Sequence, residues 1–131
     1  MVVGVDTLRI TIELPPHVHF IQADVFELLP SDLYQFSHEF DVMLSDLAPA
    51  TTGIRSVDSN RSVALFQRAL ALADDLLVPD GHFLGKIFQG SGFDEILQDL
   101  KNKFGKVRVI RPQATRKQSK EMFLVAMKKK A

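Results

Sequence analysis

Short apolar runs that stop at an aspartate, alternating with stretches in which apolar residues recur every three or four positions, restrict this chain to few architectures. Val2-Val3-Gly4-Val5-Asp6 and Asp41-Val42-Met43-Leu44-Ser45-Asp46 are runs of this kind, and Val18 to Ala23 has strand composition and ends at Asp24. Leu8 to Leu14 mixes β-branched and charged residues and stops at Pro15-Pro16. Between 26 and 40 the chain reads as loop or short helix, with Pro30 and Ser31-Asp32 as a cap. From Ser59 to Leu77, residues Val63, Phe66, Ala69, Leu70, Ala73, Leu76 and Leu77 fall on one helical stripe, with Asp58 or Ser59 as N-cap and Pro79-Asp80-Gly81 as the turn that ends it. His82 to Phe88 is a strand. Phe93 to Phe104 is a second amphipathic helix stopped by Gly105. Val107 to Ile110 and Glu121 to Met127 are the last strands, joined by a polar loop with no helix, so an antiparallel pair at one edge is expected. Apolar strands alternating with helices make an α/β fold with a largely parallel sheet, and such sheets bind ligands outside the carboxyl ends of their strands.

Composition narrows the chemistry. At 131 residues and 46% apolar content the chain suits one domain with a real core. It has no cysteine, which removes disulfides, thiolate metal sites and cysteine nucleophiles. No apolar run approaches the ~20 residues of a spanning helix, and the first residues lack the pattern of a signal peptide, so a cytoplasmic protein is expected. The net charge of zero hides a division. Residues 1–100 carry five basic side chains against fifteen acidic ones, and residues 101–131 carry eleven against one, Glu121. Such asymmetry suits a polyanionic partner, or else a solubilising tail.

Four features carry candidate chemistry. Asp6, Asp24 and Asp46 each end a strand, where a carboxylate accepts ribose hydroxyls or an exocyclic amine, or simply closes a turn. Lys86 lies inside a strand, where an ammonium is costly unless paired; held among carboxylates it orients a hydroxyl, desolvated it acts as a base, and on an edge strand it merely faces solvent. Glu121 sits alone among basic residues at the start of the last strand. The loop from Arg111 to Lys120, with Arg111, Arg116, Lys117 and Lys120, suits a phosphate backbone and has no aromatic residue for base stacking. His17 and His19, two apart on one strand face, lack a third ligand, so no metal site is expected. No Gly-x-Ser-x-Gly motif supports a serine hydrolase.

Taken in order, Ser45-Asp46-Leu47-Ala48-Pro49, Gly85-Lys86-Ile87-Phe88-Gln89-Gly90 and Ser119-Lys120-Glu121-Met122-Phe123-Leu124-Val125-Ala126 resemble the RrmJ/FtsJ-type ribose 2′-O-methyltransferases, and Asp58, Arg61 and Leu72 to Gly81 fit the same pattern. The resemblance implies a Rossmann-like sheet with an antiparallel last strand and S-adenosylmethionine as cofactor. It also implies methylation of an RNA ribose 2′-hydroxyl, typically in large-subunit ribosomal RNA. The family's active site is a Lys-Asp-Lys-Glu tetrad; by resemblance its Asp is Asp46, its second Lys is Lys86 and its Glu is Glu121. Asp6 resembles the acid near the cofactor ribose and Asp24 the one near the adenine. The family's first strand, which is central in the sheet, its Gly-rich cofactor loop and its first tetrad lysine precede the strand that ends at Asp6. The expectation is therefore a single methyltransferase domain over 1–131 that is N-terminally incomplete. A non-catalytic RNA-binding remnant and a domain completed by a partner's strand are the alternatives.

Overall fold

A computed structural model describes residues 1–112 and 121–131. These form two compact units, residues 1–38 and residues 39–131. In the first, β1 (Val2–Asp6) pairs in parallel with β2 (Val18–Gln22), in register from Val2 opposite Val18 to Asp6 opposite Gln22. The residues between them, including Leu8 to Leu14, form no strand. A 3-10 turn spans Pro30–Leu33; the Asp32 carboxylate accepts the N–H of Leu29 just before it, at 2.8 Å.

The second unit contains β3 (Phe40–Ser45), α1 (Arg55–Leu76), β4 (Leu77–Phe88), α2 (Phe93–Lys103), β5 (Phe104–Ile110) and β6 (Glu121–Lys129), in the sheet order β3-β4-β6-β5. β3 and β4 are parallel, and β6 runs antiparallel to both β4 and β5. The expected antiparallel pair is present, with β5 at the edge and the last strand inside the sheet.

Alternating burial from Gly81 to Phe88 in β4 and from Glu121 to Met127 in β6 explains where the core lies. Phe83, Ile87, Met122, Leu124 and Ala126 are buried on one face, against Phe66, Ala69, Leu70 and Ala73 of α1 and Ile96 and Leu100 of α2. Both helices therefore cover the same face. Fully burying Phe66, whose ring meets Phe83 edge-on at 5.5 Å, stabilises by about 1.5–3 kcal/mol. A side chain at Gly85 would overlap the Phe66 ring, so glycine there is what lets α1 lie down on β4. The opposite face carries His82, Leu84, Lys86, Phe123 and Val125, all half-buried, beside the exposed Val42 and Leu44 of β3.

Several boundaries differ from the sequence expectation. α1 begins a turn earlier, at Arg55, and neither Asp58 nor Ser59 caps it; Ile54 is the N-cap, with no side-chain bond. Asp58 instead works from inside the first turn, accepting the N–H and hydroxyl of Thr52, each at 2.8 Å, and the N–H of Gly53 at 3.2 Å. Pro79-Asp80-Gly81 does not end the helix. It forms a bulge within β4: Phe40 pairs with Leu77 but Val42 with His82, and Asp80 has φ +67°. Gly105 does not stop α2, because the chain turns extended at Phe104 and Gly105 is already in β5. β6 runs two residues beyond the expected end at Met127, through Lys128 and Lys129. The Lys129 ammonium donates to the carbonyls of Ala73, Asp74 and Leu77 at 2.7–3.4 Å, where α1 gives way to β4; the Ala73 carbonyl also accepts the Leu77 N–H, and the cation sits at the negative end of the helix.

Candidate active site

Because β3 and β4 are parallel, their carboxyl ends share one edge of the sheet. Asp46 follows the last residue of β3, and Lys86 lies two residues before the end of β4. In the antiparallel ladder Lys86 pairs with Phe123 and Phe88 with Glu121, so Lys86 and Glu121 are diagonal neighbours on one face. Three segments distant in sequence thus meet. The Lys86 ammonium stands 2.7 Å from Asp46 Oδ1 and 3.9 Å from Glu121 Oε1.

Exposure differs sharply across the cluster. The Lys86 side chain is 12% exposed, Glu121 41% and Asp46 77%. A lysine withdrawn this far is costly without a partner, and the pair with Asp46 offsets that cost. One Asp46 oxygen takes the ammonium, while the carboxylate as a whole remains open to a further donor or cation. The cluster therefore offers a positioned N–H donor flanked by negative charge, open to solvent on the Asp46 side. Such a site can hold a hydroxyl and steady positive charge beside it.

The loop that follows Asp46 is tied back to α1. Asp58 is buried and accepts the three bonds described above, and Arg61 donates to the carbonyl of Ala50 at 3.4 Å. The Thr52 N–H does most to hold the Asp58 carboxyl below the usual aspartate range; burial opposes this, and the Thr52 hydroxyl, the Gly53 N–H and the Arg61 charge reinforce it. At the end of β4, the hydroxyl of the buried Ser62 accepts the Phe88 N–H at 2.9 Å and pins the strand to α1. Nothing in the sequence singled out Ser62. Asp58 was visible only as a cap candidate and as part of a family pattern.

The other two acids lie in the first unit and each closes a local turn. Asp6 Oδ1 accepts the N–H of Leu8, and Asp24 Oδ1 that of Phe26, both at 2.9 Å. This is the turn role weighed for them above; a carboxylate engaged at one oxygen still has acceptor capacity. Arg111 is exposed just beyond β5, whereas Arg116, Lys117 and Lys120 lie outside the described residues. His17 precedes β2 and so does not share a strand face with His19, which stacks on Phe36 at 4.7 Å. Among the described residues no group of three or more His, Asp or Glu side chains is placed to hold a metal ion, and no helix is long and apolar enough to cross a membrane.

A sheet with a reversed last strand, helices on its core face and acids at its strand ends has the α/β methyltransferase fold. The chain belongs to the FtsJ-like methyltransferase family, whose profile matches residues 1–129. It is 46% identical over 129 residues to the ribosomal RNA large subunit methyltransferase E of Desulfatibacillum aliphaticivorans, covering 98% of this chain and 62% of that relative's length. In structure it is similar to a ribosomal RNA methyltransferase from Plasmodium falciparum, with a TM-score of 0.84 at 21% identity over 98% of this chain and 71% of the other. It is also similar to human methyltransferase-like protein 13 in complex with SAH, with a TM-score of 0.57 at 18% identity over 88% of this chain and 51% of the other.

Proposed function

We propose that this chain is part of an enzyme that methylates the 2′-hydroxyl of a ribose in RNA, most specifically in large-subunit ribosomal RNA, with S-adenosylmethionine as donor. The observation that carries this reading is the Lys86 ammonium lodged between Asp46 and Glu121. Residues 1–131 then form one methyltransferase domain, and a ribosomal RNA substrate puts its work in the cytoplasm.

The acids suit the cofactor. An exposed Asp46 carboxylate complements a sulfonium and an amino group, and Asp6 and Asp24 keep acceptor capacity for ribose and adenine. When bound, S-adenosylmethionine supplies an electrophilic methyl group for in-line displacement. As an ammonium, Lys86 orients the ribose hydroxyl; having first given up a proton to solvent, the neutral amine takes the hydroxyl's proton. Asp46 holds Lys86 in place and helps position the donor's methionine end. Glu121 completes the charge network and positions the ribose. Arg111, with Arg116, Lys117 and Lys120, binds RNA phosphates.

The test incubates the full-length gene product with large-subunit RNA and donor, digests the RNA and identifies the product by mass spectrometry. A 2′-O-methylated nucleoside is expected. A methyl group on a base, or RNA binding without any transfer, would overturn the reading.

A further inference from the structure

A second site opens on the other side of the same sheet edge. Where α1 begins and β4 ends, a cleft of about 740 Å³ is lined by Ile54, Arg55, Ser56, Ser59, Gln89, Gly90 and Ser91. Among the described residues its side-chain polar groups are one guanidinium, three hydroxyls and one amide, with no carboxylate. The first N–H groups of α1 point toward its start without a side-chain cap. Ser59 is 4% exposed, yet its hydroxyl has no hydrogen-bond partner among the described residues. That hydroxyl lies against Gly90, where even a methyl group would displace it. Arg55 forms no ion pair among the described residues. The nearest acid on the helix, Asp58, is committed to Thr52 and Gly53.

Given the RNA substrate proposed above, we infer that this cleft takes a phosphodiester of the RNA strand beside the nucleotide held at Lys86. A guanidinium with hydroxyl and amide donors around it, and no carboxylate among the described lining residues, favours an anion, and a guanidinium beside the amino end of a helix is well suited to a phosphate. Gln89 lies three residues beyond Lys86, about 10 Å along an extended chain, so a strand with its ribose at Lys86 reaches the cleft with a neighbouring phosphate. The donor's own carboxylate is the competing anion, and the experiment separates the two.

Binding of a fluorescein-labelled 12-mer of uridylate is followed by anisotropy against KCl concentration, for wild type, Arg55→Ala and Arg55→Lys. Donor affinity is measured on the same proteins by calorimetry. Losing one phosphate contact on a single strand lowers the log–log salt slope by about 0.7, equivalent to about fivefold in affinity at 0.1 M salt relative to 1 M. Arg55→Ala is expected to show both changes with donor affinity intact, and Arg55→Lys to regain most of the slope. A wild-type slope and affinity in Arg55→Ala would overturn the cleft assignment while leaving the RNA reading in place. Weakened donor binding with unchanged RNA binding would also overturn it, by giving the cleft to the donor's carboxylate. If the wild type itself shows no salt-dependent RNA binding, the RNA substrate falls, and the cleft assignment with it.

Discussion

Gly85→Ala probes the packing that carries Lys86. The added methyl group would stand 2.9 Å from Phe66 Cδ2 and 2.9 Å from Phe83 Cε1, and closer still to a second Phe66 carbon. Carbon atoms rest about 3.5–4.0 Å apart, so more than about half an ångström must be found at the two 2.9 Å contacts and more again at the closest one. Neither ring has room to give it, because Phe66 and Phe83 are each 1% exposed. Overpacking of this kind costs about 1–3 kcal/mol. With a urea slope of about 1–3 kcal/mol/M, the unfolding midpoint falls by about 1 M. The chain has no tryptophan, so unfolding is followed by far-ultraviolet circular dichroism. Trimming the obstructing ring should relieve the clash: Phe66→Leu combined with Gly85→Ala costs less than the two single changes added together. A midpoint within about 0.2 M of wild type, or strict additivity in the double variant, would refute the close approach of α1 to β4.

Lys129→Met removes the donor that satisfies the carbonyls at the end of α1, and is expected to cost about 1–2 kcal/mol by denaturant titration; an unchanged midpoint would contradict that role. At Lys103, burial works against the charge, but the bond to Asp74 at 2.7 Å and the charges of Asp74 and Asp99 outweigh it and raise the amine above the usual lysine range. A raised pKa in the folded state gives stability that is complete below the unfolded value and fades as pH climbs through the folded one. Lys103→Met should therefore be less stable than wild type at neutral pH and converge with it in the alkaline range above about pH 10.4; a gap that widens there would refute the sign.

Period and punctuation in the sequence were enough to find the strands and helices, because β4 and β6 alternate cleanly and α2 presents a single apolar stripe. Boundaries were less legible where tertiary contacts outweigh local signals. Pro79-Asp80-Gly81 reads as a chain break, yet β4 continues through it and carries the extra residues as a bulge opposite β3. Asp58 looks like a cap, but its partners are Thr52 and Gly53 in the preceding loop, a contact no spacing reveals. The terminal lysines look like a solvated tail, whereas Lys129 reaches a helix end more than fifty residues earlier in the chain. Of the candidate site, Lys86 was legible as a charge inside an apolar strand, and Asp46 as an acid at a strand end. Their meeting with Glu121 depends on β6 running antiparallel beside β4, which composition alone does not dictate.

The most direct measurement is the single-turnover rate of methyl transfer to large-subunit RNA by wild type and Lys86→Ala, with RNA affinity determined in parallel. A lysine that orients or deprotonates the hydroxyl is worth about a hundred- to ten-thousandfold in rate. The predicted result is a loss of that size with RNA affinity nearly unchanged, since Lys86 is largely withdrawn from the surface. Transfer at the wild-type rate by Lys86→Ala would contradict the claim that this ammonium, held by Asp46 and Glu121, does the chemistry.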